Sequence, residues 1–234
     1  FHAYSRLRRL GGALAHIQKG TTVTIAAGDA GYESLSAFNE AFAKFAGTSP
    51  TTSRSRSVVH VIRVESPVGQ LVLGATDDAL MLLEFVDRRR LPTQIARVGK
   101  ALGCVFAPGE TPVLRRARRQ LDEYFAGQRR AFDLPLGIHG TPFQEQVWRV
   151  LLEIPAGETR SYKDVAAALG RPEAVCAVAR ANGDNRLAIV IPCHRVIGAD
   201  GKLVGYGGGL WRKQRLLELE RGLPPLLAGV DHTS

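Results

Sequence analysis

The residues with the clearest capacity for chemistry lie together at positions 191–196, which read Ile-Pro-Cys-His-Arg-Val. Cys193 is followed directly by His194 and Arg195. A cysteine attacks as its thiolate, and nearby positive groups or a helix N-terminus lower its pKa, while a base within reach activates it. By itself such a pair is more often a buried structural cysteine beside a core histidine, and a nucleophilic thiol is the alternative that the surrounding elements must decide. One Cys-His pair lacks the further ligands of a zinc site, so we expect no metal.

The elements around this motif are predicted to be mostly helical. Three helices follow residue 140, and each has its own start signal: Thr141-Pro142, Ser161 and Arg171-Pro172-Glu173. The second and third, separated at Gly170, form a helix-turn-helix. A short apolar strand over residues 187–191 leads to the cysteine. A glycine-rich GYGGG segment at 205–209 precedes a last helix that ends at Glu220.

The middle of the chain changes to short β-branched runs, which are typical of strands. Strands are predicted over 58–64, 70–75 and 79–86, and helices over 92–103 and 111–126. Strands followed by helices indicate a small α+β unit and not an alternating β-α-β arrangement.

The N-terminal segment is predicted to be helical as well. Apolar residues spaced three and four apart predict a helix over residues 4–17, and a short helix follows over about 22–30. Ser34 is a suitable N-cap for a third helix, which carries three phenylalanines on one face. The Ser/Thr/Arg-rich stretch that comes next is interpreted as a linker, with residues 51–57 assigned to it.

The composition limits the class of protein. The chain has 234 residues, 45% of them hydrophobic and 23% charged, which excludes a disordered or fibrous protein. It has no apolar run long enough for a membrane span. Cys104, Cys176 and Cys193 form no disulfide framework, which indicates a reducing compartment. A net charge of +9 favours an acidic partner, most simply nucleic acid. The chain begins at Phe1 and not at Met, which indicates a fragment or a processed piece.

The cysteine motif and its surroundings resemble the O6-alkylguanine-DNA alkyltransferase family. The family signature is PCHRV after a helix-turn-helix, and here Asn185 precedes the motif while a glycine-rich loop and a helix follow it. The likeness spans about residues 58–223. It implies an α+β fold with a small, ribonuclease H-like α/β domain over 58–134. A helical, winged-helix-like catalytic domain follows over 135–224, and a tail over 225–234.

The resemblance also implies roles for individual residues. Cys193 would accept the alkyl group, His194 would deprotonate it through a water, and Glu220 would orient that histidine. Asn185 would be a hinge, Tyr162 would lie near the rotated phosphate and the guanine ring, and Arg195 would be structural. The carbonyls of Cys193 and Val196 would accept hydrogen bonds from the guanine amino group. The pocket would be lined by Tyr206, Gly207 and Gly208.

Two positions depart from the family pattern. The family places an arginine seventeen residues before the nucleophile, as a finger that fills the gap left by an extruded base, and here that position is Cys176. Arg180 lies one helical turn later on the same face. Either Arg180 substitutes, or base extrusion is less well supported; Ala179 is expected beside it at the DNA. At Gly207 some relatives carry a serine that donates to the alkylated oxygen, whereas this chain offers only a backbone N–H.

The N-terminal segment resembles the second helix-turn-helix of AraC-type regulators. The likeness lies in residues 23–50, with their G-Y-x-S-x-S-x-F run and closing G-T-S-P. It assigns residues 1–50 to a partial DNA-binding region, because AraC-type domains carry two such motifs. The residues expected to contact DNA there are Ser34, Ser36, Asn39 and Lys44. An AraC-type unit before an alkyltransferase is the order in Ada-type adaptive-response proteins, so the chain resembles one without the zinc-bearing first domain.

Together these resemblances imply a DNA repair enzyme that transfers a methyl or alkyl group irreversibly from O6-alkylguanine, and from O4-methylthymine, to Cys193. It would be a methylated-DNA–protein-cysteine S-methyltransferase that acts once per molecule, needs no cofactor and also regulates transcription. The alternative is a transcription regulator whose alkyltransferase domain only senses alkylated DNA. A non-catalytic alkylguanine-binding protein is disfavoured, because such relatives replace the cysteine.

The implied partners follow from the same resemblances. They are double-stranded DNA containing O6-alkylguanine, promoter DNA and RNA polymerase, with no membrane partner. The first 57 residues have the highest density of net positive charge in the chain, with 7 Lys and Arg against 3 Asp and Glu. A monomer in the bacterial cytoplasm is expected.

Overall fold

The computed structural model describes residues 2–222, and for residues 2–8 it describes the backbone alone. The predicted tail, 225–234, lies outside the described residues. Helices and strands together form an α+β fold, as the sequence predicts. None of the described helices is both long enough and apolar enough to cross a membrane.

The N-terminal part consists of four helices: α1 (His2–Gln18), α2 (Val23–Asp29), α3 (Leu35–Ala46) and α4 (Pro50–Ser53). Thr22 and Ser34 cap α2 and α3, since each side chain accepts a hydrogen bond from the backbone N–H three residues later. Gly47 ends α3 in the left-handed conformation, with φ +66°. The three predicted helices are therefore confirmed, with α2 and α3 as the helix-turn-helix.

Residues 51–57, interpreted from their composition as a linker, are partly helical and held against α1. Ser49 caps α4 through its side chain, and Gln18 of α1 donates from Nε2 to the carbonyls of Ser53 at 3.2 Å and Arg56 at 2.7 Å. Ser53 is fully buried. A Ser-Pro pair in a Ser/Thr-rich stretch is also the start signal of a helix; the assignment of 51–57 as a linker between domains stays a prediction.

A four-stranded sheet forms the middle of the molecule, in the order β3-β2-β1-β4. Its strands are β1 (Val58–Val64), β2 (Leu71–Ala75), β3 (Leu80–Phe85) and β4 (Val105–Pro108), flanked by helices α5 (Leu91–Leu102) and α6 (Pro112–Phe125). β2 is antiparallel to both neighbours, whereas β4 is parallel to β1, with Val59 opposite Phe106. The sequence analysis missed β4, because four residues between two predicted helices give too short a periodic signal.

The N-terminal helices and the sheet share one hydrophobic core. Leu14 of α1 and Phe42 of α3 are at most 1% exposed, in a cluster that also contains Val105 and Ala107 of β4. The helix-turn-helix is therefore packed directly on the edge of the sheet.

The C-terminal part carries the second helix-turn-helix. Its elements are α7 (Pro142–Leu152), β5 (Arg160–Ser161), α8 (Tyr162–Ala168), a 3₁₀ turn (Pro172–Ala174), α9 (Val175–Gly183), a second 3₁₀ turn (Cys193–Arg195), β6 (Val196–Ile197) and α10 (Leu210–Glu220). Thr141 and Ser161 form capping boxes at α7 and α8. β5 and β6 pair in parallel beside the helix-turn-helix.

Residues 187–191 form a buried turn, and the prediction of a strand was wrong. Ile189 has φ +70°, which is rare for a β-branched residue. Leu83 of β3 holds this turn through its backbone N–H and C=O, each in a 2.8 Å hydrogen bond to the segment. A short apolar run shows burial but does not distinguish a strand from a compact turn. The turn presents Cys193 at its end.

Candidate active site

The carboxylate of Glu220, at the end of α10, lies at the centre of a buried hydrogen-bond network. Its Oε1 lies 2.9 Å from His194 Nε2 and 2.8 Å from Arg195 Nη2, and its Oε2 accepts from Arg195 Nε at 2.9 Å. The side chains of Glu220 and His194 are at most 1% exposed. The structure therefore brings together three residues that the sequence analysis proposed for the site.

Two further donors to this carboxylate were missed by the sequence analysis. Tyr124 of α6 donates its hydroxyl to Glu220 Oε1 at 2.9 Å, and the backbone N–H of Gly157 donates to Oε2 at 3.2 Å. Both lie far from Glu220 in the sequence, so no local motif connects them. The only signal was an aromatic residue on the buried face of a predicted helix.

The network fixes the charge state of its members. Burial alone would raise the pKa of the Glu220 carboxyl, but His194 and Arg195 together hold it well below its usual range. Burial lowers the pKa of His194 despite the nearby carboxylate. His194 Nδ1 is buried and has no hydrogen-bond partner among the described residues. A neutral His194 with a free Nδ1 is able to accept a proton.

Cys193 begins a 3₁₀ turn and is 6% exposed. Asn185 donates from Nδ2 to Cys193 Sγ at 3.0 Å and to the Ile191 carbonyl at 2.9 Å, while its Oδ1 accepts from Leu187 N. Burial raises the pKa of the Cys193 thiol, opposed by the Asn185 contact and by nearby cations. The sequence analysis expected cations to lower this pKa; burial outweighs them, so the thiol is protonated at rest.

Cys193 and Asn185 line a cleft of about 380 Å³ between the sheet and the C-terminal helices. The other lining residues are Glu84, Arg88, Arg89, Arg90, Tyr162, Ala179, Asn182, Gly183, Ala188, Gly205, Tyr206, Gly207 and Gly208. Four of the residues proposed from the sequence to bind substrate, namely Tyr162, Tyr206, Gly207 and Gly208, therefore lie in the same cleft as the thiol.

Two tyrosines form walls of the cleft. Tyr162 donates its hydroxyl to the Gly205 carbonyl at 3.4 Å. The Tyr206 ring packs edge-on against Phe85, at 6.1 Å between centroids, and against His194, at 6.5 Å. Burial raises the pKa of both hydroxyls, so both are protonated at neutral pH.

The glycines of the GYGGG loop allow side chains of the sheet domain to approach closely. A Cβ atom at Gly207 would lie 2.6 Å from Arg88 Cζ, and one at Gly208 would lie 2.6 Å from a Phe85 ring carbon. A serine at position 207, as some relatives carry, would therefore require Arg88 to move.

Val196 is not among the residues that line the cleft, and its role as a carbonyl acceptor stays a prediction. It is fully buried, and its carbonyl accepts a 2.6 Å hydrogen bond from Lys213 Nζ. Lys213, which the sequence analysis missed, also donates to the Val204 carbonyl at 2.6 Å. Burial lowers the pKa of Lys213 to about 8. The lysine therefore connects the two ends of the loop that follows the active site.

Helix α9 carries the remaining predicted residues of this domain. Cys176, Ala179 and Arg180 are exposed on it, and Ala179 also lines the cleft. Asn182, which the sequence analysis missed, donates to the Cys193 carbonyl at 3.4 Å.

The N-terminal candidates lie apart from this cleft, on α3. Ser34, Ser36, Asn39 and Lys44 are exposed, and none of them lines the cleft. The Ser34 hydroxyl caps α3, and Lys44 pairs with Glu40 at 2.7 Å. These side chains are therefore available on the second helix of a separate helix-turn-helix.

The site combines a thiol that receives a hydrogen bond, a histidine held by a carboxylate, and an aromatic-walled cleft at a helix-turn-helix. Nucleophile, base and orienting group are the components of covalent catalysis, and a helix-turn-helix is a DNA-reading element. Within residues 2–222 no group of three or more His, Cys, Asp and Glu side chains is placed to hold a metal ion. Fold and site together indicate a DNA-binding protein whose buried cysteine lies beside the groups that covalent catalysis requires.

Comparison with known proteins identifies the family. Residues 59–138 match the ribonuclease-like domain of 6-O-methylguanine DNA methyltransferase, residues 142–222 match its DNA-binding domain, and residues 1–56 match a helix-turn-helix domain. A methylated-DNA–protein-cysteine methyltransferase of Mycobacterium leprae is 46% identical over 70% of this chain and 93% of its own. The Mycolicibacterium paratuberculosis protein of the same name is 49% identical over 69% and 92%.

Solved structures agree with this result. Mycobacterium tuberculosis OGT, crystallised in complex with DNA, is 43% identical, with a TM-score of 0.63 over 73% of this chain and 98% of its own. The O6-methylguanine-DNA methyltransferase of Pyrococcus kodakaraensis is 27% identical, with a TM-score of 0.50 over 70% and 98%. The chain belongs to the methylated-DNA–protein-cysteine methyltransferase family, fused to an N-terminal helix-turn-helix domain in the Ada-type order. It is a DNA-binding alkyltransferase of DNA repair.

The central position of the Glu220 carboxylate predicts how stability depends on pH. Its folded pKa is depressed, so its contribution is present above the usual value of 4.5 and is lost as the pH falls below it. Glu220→Gln should lower the free energy of unfolding near neutral pH by about 3 kcal/mol, because it leaves the buried Arg195 without its charge partner. Between about pH 6 and about pH 3 the variant should lose less stability than the wild type.

Urea unfolding at several pH values measures both effects. Glu218→Gln is the matched control, since Glu218 lies on the same helix and has exposed partners, Arg215 at 2.9 Å and Gln214 at 2.9 Å; it should change stability by about 0.5 kcal/mol or less. If the free energies of unfolding of the wild type and of Glu220→Gln fall equally as the pH is lowered, the prediction is contradicted.

Proposed function

We propose that the chain repairs DNA by transferring an alkyl group from guanine O6 to Cys193 Sγ, once per molecule. The observation that carries the proposal is the 3.0 Å contact between Asn185 Nδ2 and Cys193 Sγ inside the cleft, next to a histidine fixed by Glu220. An amide donor on sulfur stabilises the thiolate, and a buried neutral imidazole receives the proton.

The resting thiol is protonated, because burial raises its pKa. His194 takes the proton at Nδ1, through a water, and the resulting imidazolium is stabilised by Glu220, 2.9 Å from Nε2. The carboxylate stays ionised throughout, since its pKa lies well below its usual range. Glu220 thus sets the orientation of the ring and compensates the charge that appears on it.

The thiolate then forms an S–C bond to the alkyl carbon as the C–O6 bond breaks. The electron pair of that bond stays on the guanine oxygen, and the guanine anion takes up one proton, so that thiol and O6-alkylguanine yield thioether and guanine. A thioether is a poor leaving group, so the cysteine is not regenerated and each molecule acts once. No cofactor enters this balance, and O4-methylthymine would react in the same way.

The cleft would receive the alkylated base after its extrusion from the duplex. Tyr162 and Tyr206 would pack against the base, while the Cys193 carbonyl would accept from the guanine amino group. The Val196 carbonyl, the second acceptor that the resemblance implies, already accepts from Lys213 Nζ at 2.6 Å and would use its other lone pair for the same amino group.

Cys193→Ala should abolish transfer while leaving DNA affinity within about twofold, since the DNA-reading helix α9 does not depend on the thiol. Incubation with a duplex containing O6-methylguanine, followed by intact-mass and peptide analysis, should place one added methylene mass on Cys193 in the wild type. Cys176→Ala is the matched control, because Cys176 is exposed and lies outside the cleft. An adduct on Cys104 or Cys176 would overturn the assignment, and tight binding without an adduct would indicate a sensor only.

For base extrusion, Arg180 is proposed as the finger in place of Cys176. Both are exposed on α9, one helical turn apart, and a guanidinium is long and able to stack on bases. The rival role is a phosphate contact, which would affect the affinity for any DNA.

Arg180→Ala should slow transfer from duplex DNA by roughly tenfold or more, because the extruded base returns faster. Transfer from free O6-alkylguanine, which needs no extrusion, should keep its rate, and duplex affinity should fall little. Cys176→Ala is again the control. Cys176→Arg should increase the rate of transfer from duplex DNA only slightly if Arg180 already fills the gap left by the extruded base. Equal losses on duplex and free base would mean that Arg180 shapes the pocket instead.

The N-terminal helix-turn-helix supports a second role, as an Ada-type regulator that binds promoter DNA and contacts RNA polymerase. This role is favoured by the match over residues 1–56 to a helix-turn-helix domain and by the exposed side chains of α3. A bacterial cytoplasmic location and a monomeric state remain expectations.

Selection of duplexes from a random pool with the full chain should yield a preferred sequence. The whole chain is needed, since the N-terminal helices share a core with β4. Asn39→Ala should reduce the preference for that sequence by about 1–3 kcal/mol, whereas Lys44→Ala should weaken binding to all duplexes alike. A full chain without any sequence preference would contradict the regulatory role.

A further inference from the structure

Arg88, just after β3, extends its guanidinium into the cleft that contains Cys193. Its side chain is 7% exposed and forms an ion pair with Glu84, which is 1% exposed. Its Nη1 also donates to the Asn185 carbonyl at 3.1 Å, and its Nη2 donates to the Gly183 carbonyl at 2.6 Å. Neither charged residue was singled out by the sequence analysis, although a carboxylate within an apolar strand was the available signal.

The hydrogen bonds of Arg88 use three of the five N–H groups of its guanidinium. Both Nη1 hydrogens are used, by Glu84 and Asn185, and one Nη2 hydrogen is used by Gly183. The Nε hydrogen and the second Nη2 hydrogen have no partner among the described residues. Gly207 lies over the face of the guanidinium, where a Cβ atom would be 2.6 Å from Cζ, 2.7 Å from Nη2 and 2.8 Å from Nε. The N–H groups point along the guanidinium plane, so Gly207 does not occupy the directions of the two unused donors.

We infer that the two unused N–H donors of Arg88, on Nε and Nη2, bind the O6 and N7 atoms of the extruded O6-alkylguanine in the cleft that Arg88 lines, an inference that rests on the proposed function. Two N–H donors match the two adjacent acceptors of guanine, O6 and N7, which are the commonest specific contact of arginine with a base. Gly207 has no side chain, so the loop backbone is able to lie directly over the guanidinium. Arg88 thus provides a donor on the side of the cleft where relatives carry a serine.

The charge of Arg88 gives this contact a role in the reaction. O6 is neutral in the alkylated base and becomes anionic as the C–O6 bond breaks, so a fixed guanidinium binds the transition state more tightly than the ground state. Glu84 compensates the buried charge between reactions; burial raises the pKa of its carboxyl to about 6, while Arg88 opposes that rise. Arg88 therefore affects the rate of transfer more than the affinity for DNA.

A purely positioning role is the alternative. Through the Gly183 and Asn185 carbonyls Arg88 holds the end of α9, so its loss would disturb the contact between Asn185 and Cys193 without any contact to the base. Such a disturbance would slow every substrate by the same factor. A substrate that lacks N7 distinguishes the two roles.

The experiment compares duplexes containing O6-methylguanine and O6-methyl-7-deazaguanine, in which a C–H group replaces N7. Single-turnover rates at saturating protein should fall by about tenfold on the deaza substrate for the wild type. A lysine cannot donate two parallel hydrogen bonds as a guanidinium does. The Arg88→Lys variant should therefore react slowly with both substrates, at nearly equal rates. Arg97→Lys is the matched control: Arg97 pairs with Asp184 at 3.3 Å outside the cleft and should keep the wild-type ratio.

Gly207→Ala provides a second variant that leaves the Arg88 residue in place. Its methyl group would lie 2.6 Å from Arg88 Cζ and displace the guanidinium, so this variant should also reduce the ratio between the two substrates. It keeps the inference testable even if Arg88→Lys fails to fold. A wild-type ratio near one, or a tenfold ratio kept in both variants, would overturn the inference while leaving the proposed function intact. Absence of any Cys193 adduct in the wild type would instead overturn the proposed function itself.

Discussion

The active site depends on the burial of one carboxylate. Glu220 accepts five hydrogen bonds, from His194, Arg195, Tyr124 and Gly157, three at Oε1 and two at Oε2. A buried charge with a missing partner is costly, so helix α6, the turn after α7, the cysteine turn and α10 must all lie in their native places for this charge to be satisfied. The orientation of the histidine follows from the same requirement, since it is one of the partners. Folding and catalytic geometry are thus set by a single interaction.

Strand β3 gives the sheet domain a direct part in the site. Its Leu83 holds the turn before Cys193, its Glu84 pairs with Arg88, and its Phe85 packs against Tyr206. Successive residues of one strand thus brace the backbone, place a charge and support a wall of the cleft. The ribonuclease-like domain is a wall of the pocket as well as a scaffold.

Local signals predicted much of this molecule. Caps at Ser34, Thr141 and Ser161 gave helix starts, and the Cys-His pair gave the proposed nucleophile and base. What remained hidden depends on partners distant in the sequence. Strand β4 is stabilised by its pairing with β1. The turn at residues 187–191 is held by backbone hydrogen bonds to Leu83. Tyr124 and Lys213 act through carbonyl or carboxylate groups that only folding brings near. The burial of Cys193 also depends on folding, and it raises the pKa of the thiol where the sequence predicted a lowered one.

The shared core of the N-terminal helices and β4 has a consequence for biosynthesis. Phe38 and Phe42 are made early in translation, but Val105 and Ala107, against which their cluster is buried, leave the ribosome much later. Until then the apolar face of α3 is exposed to other nascent chains and to chaperones. Once formed, the same contact covers β4, the outer strand of the sheet, whose unpaired edge would otherwise be open to strands of other molecules. The helix-turn-helix therefore also protects the repair domain against aggregation.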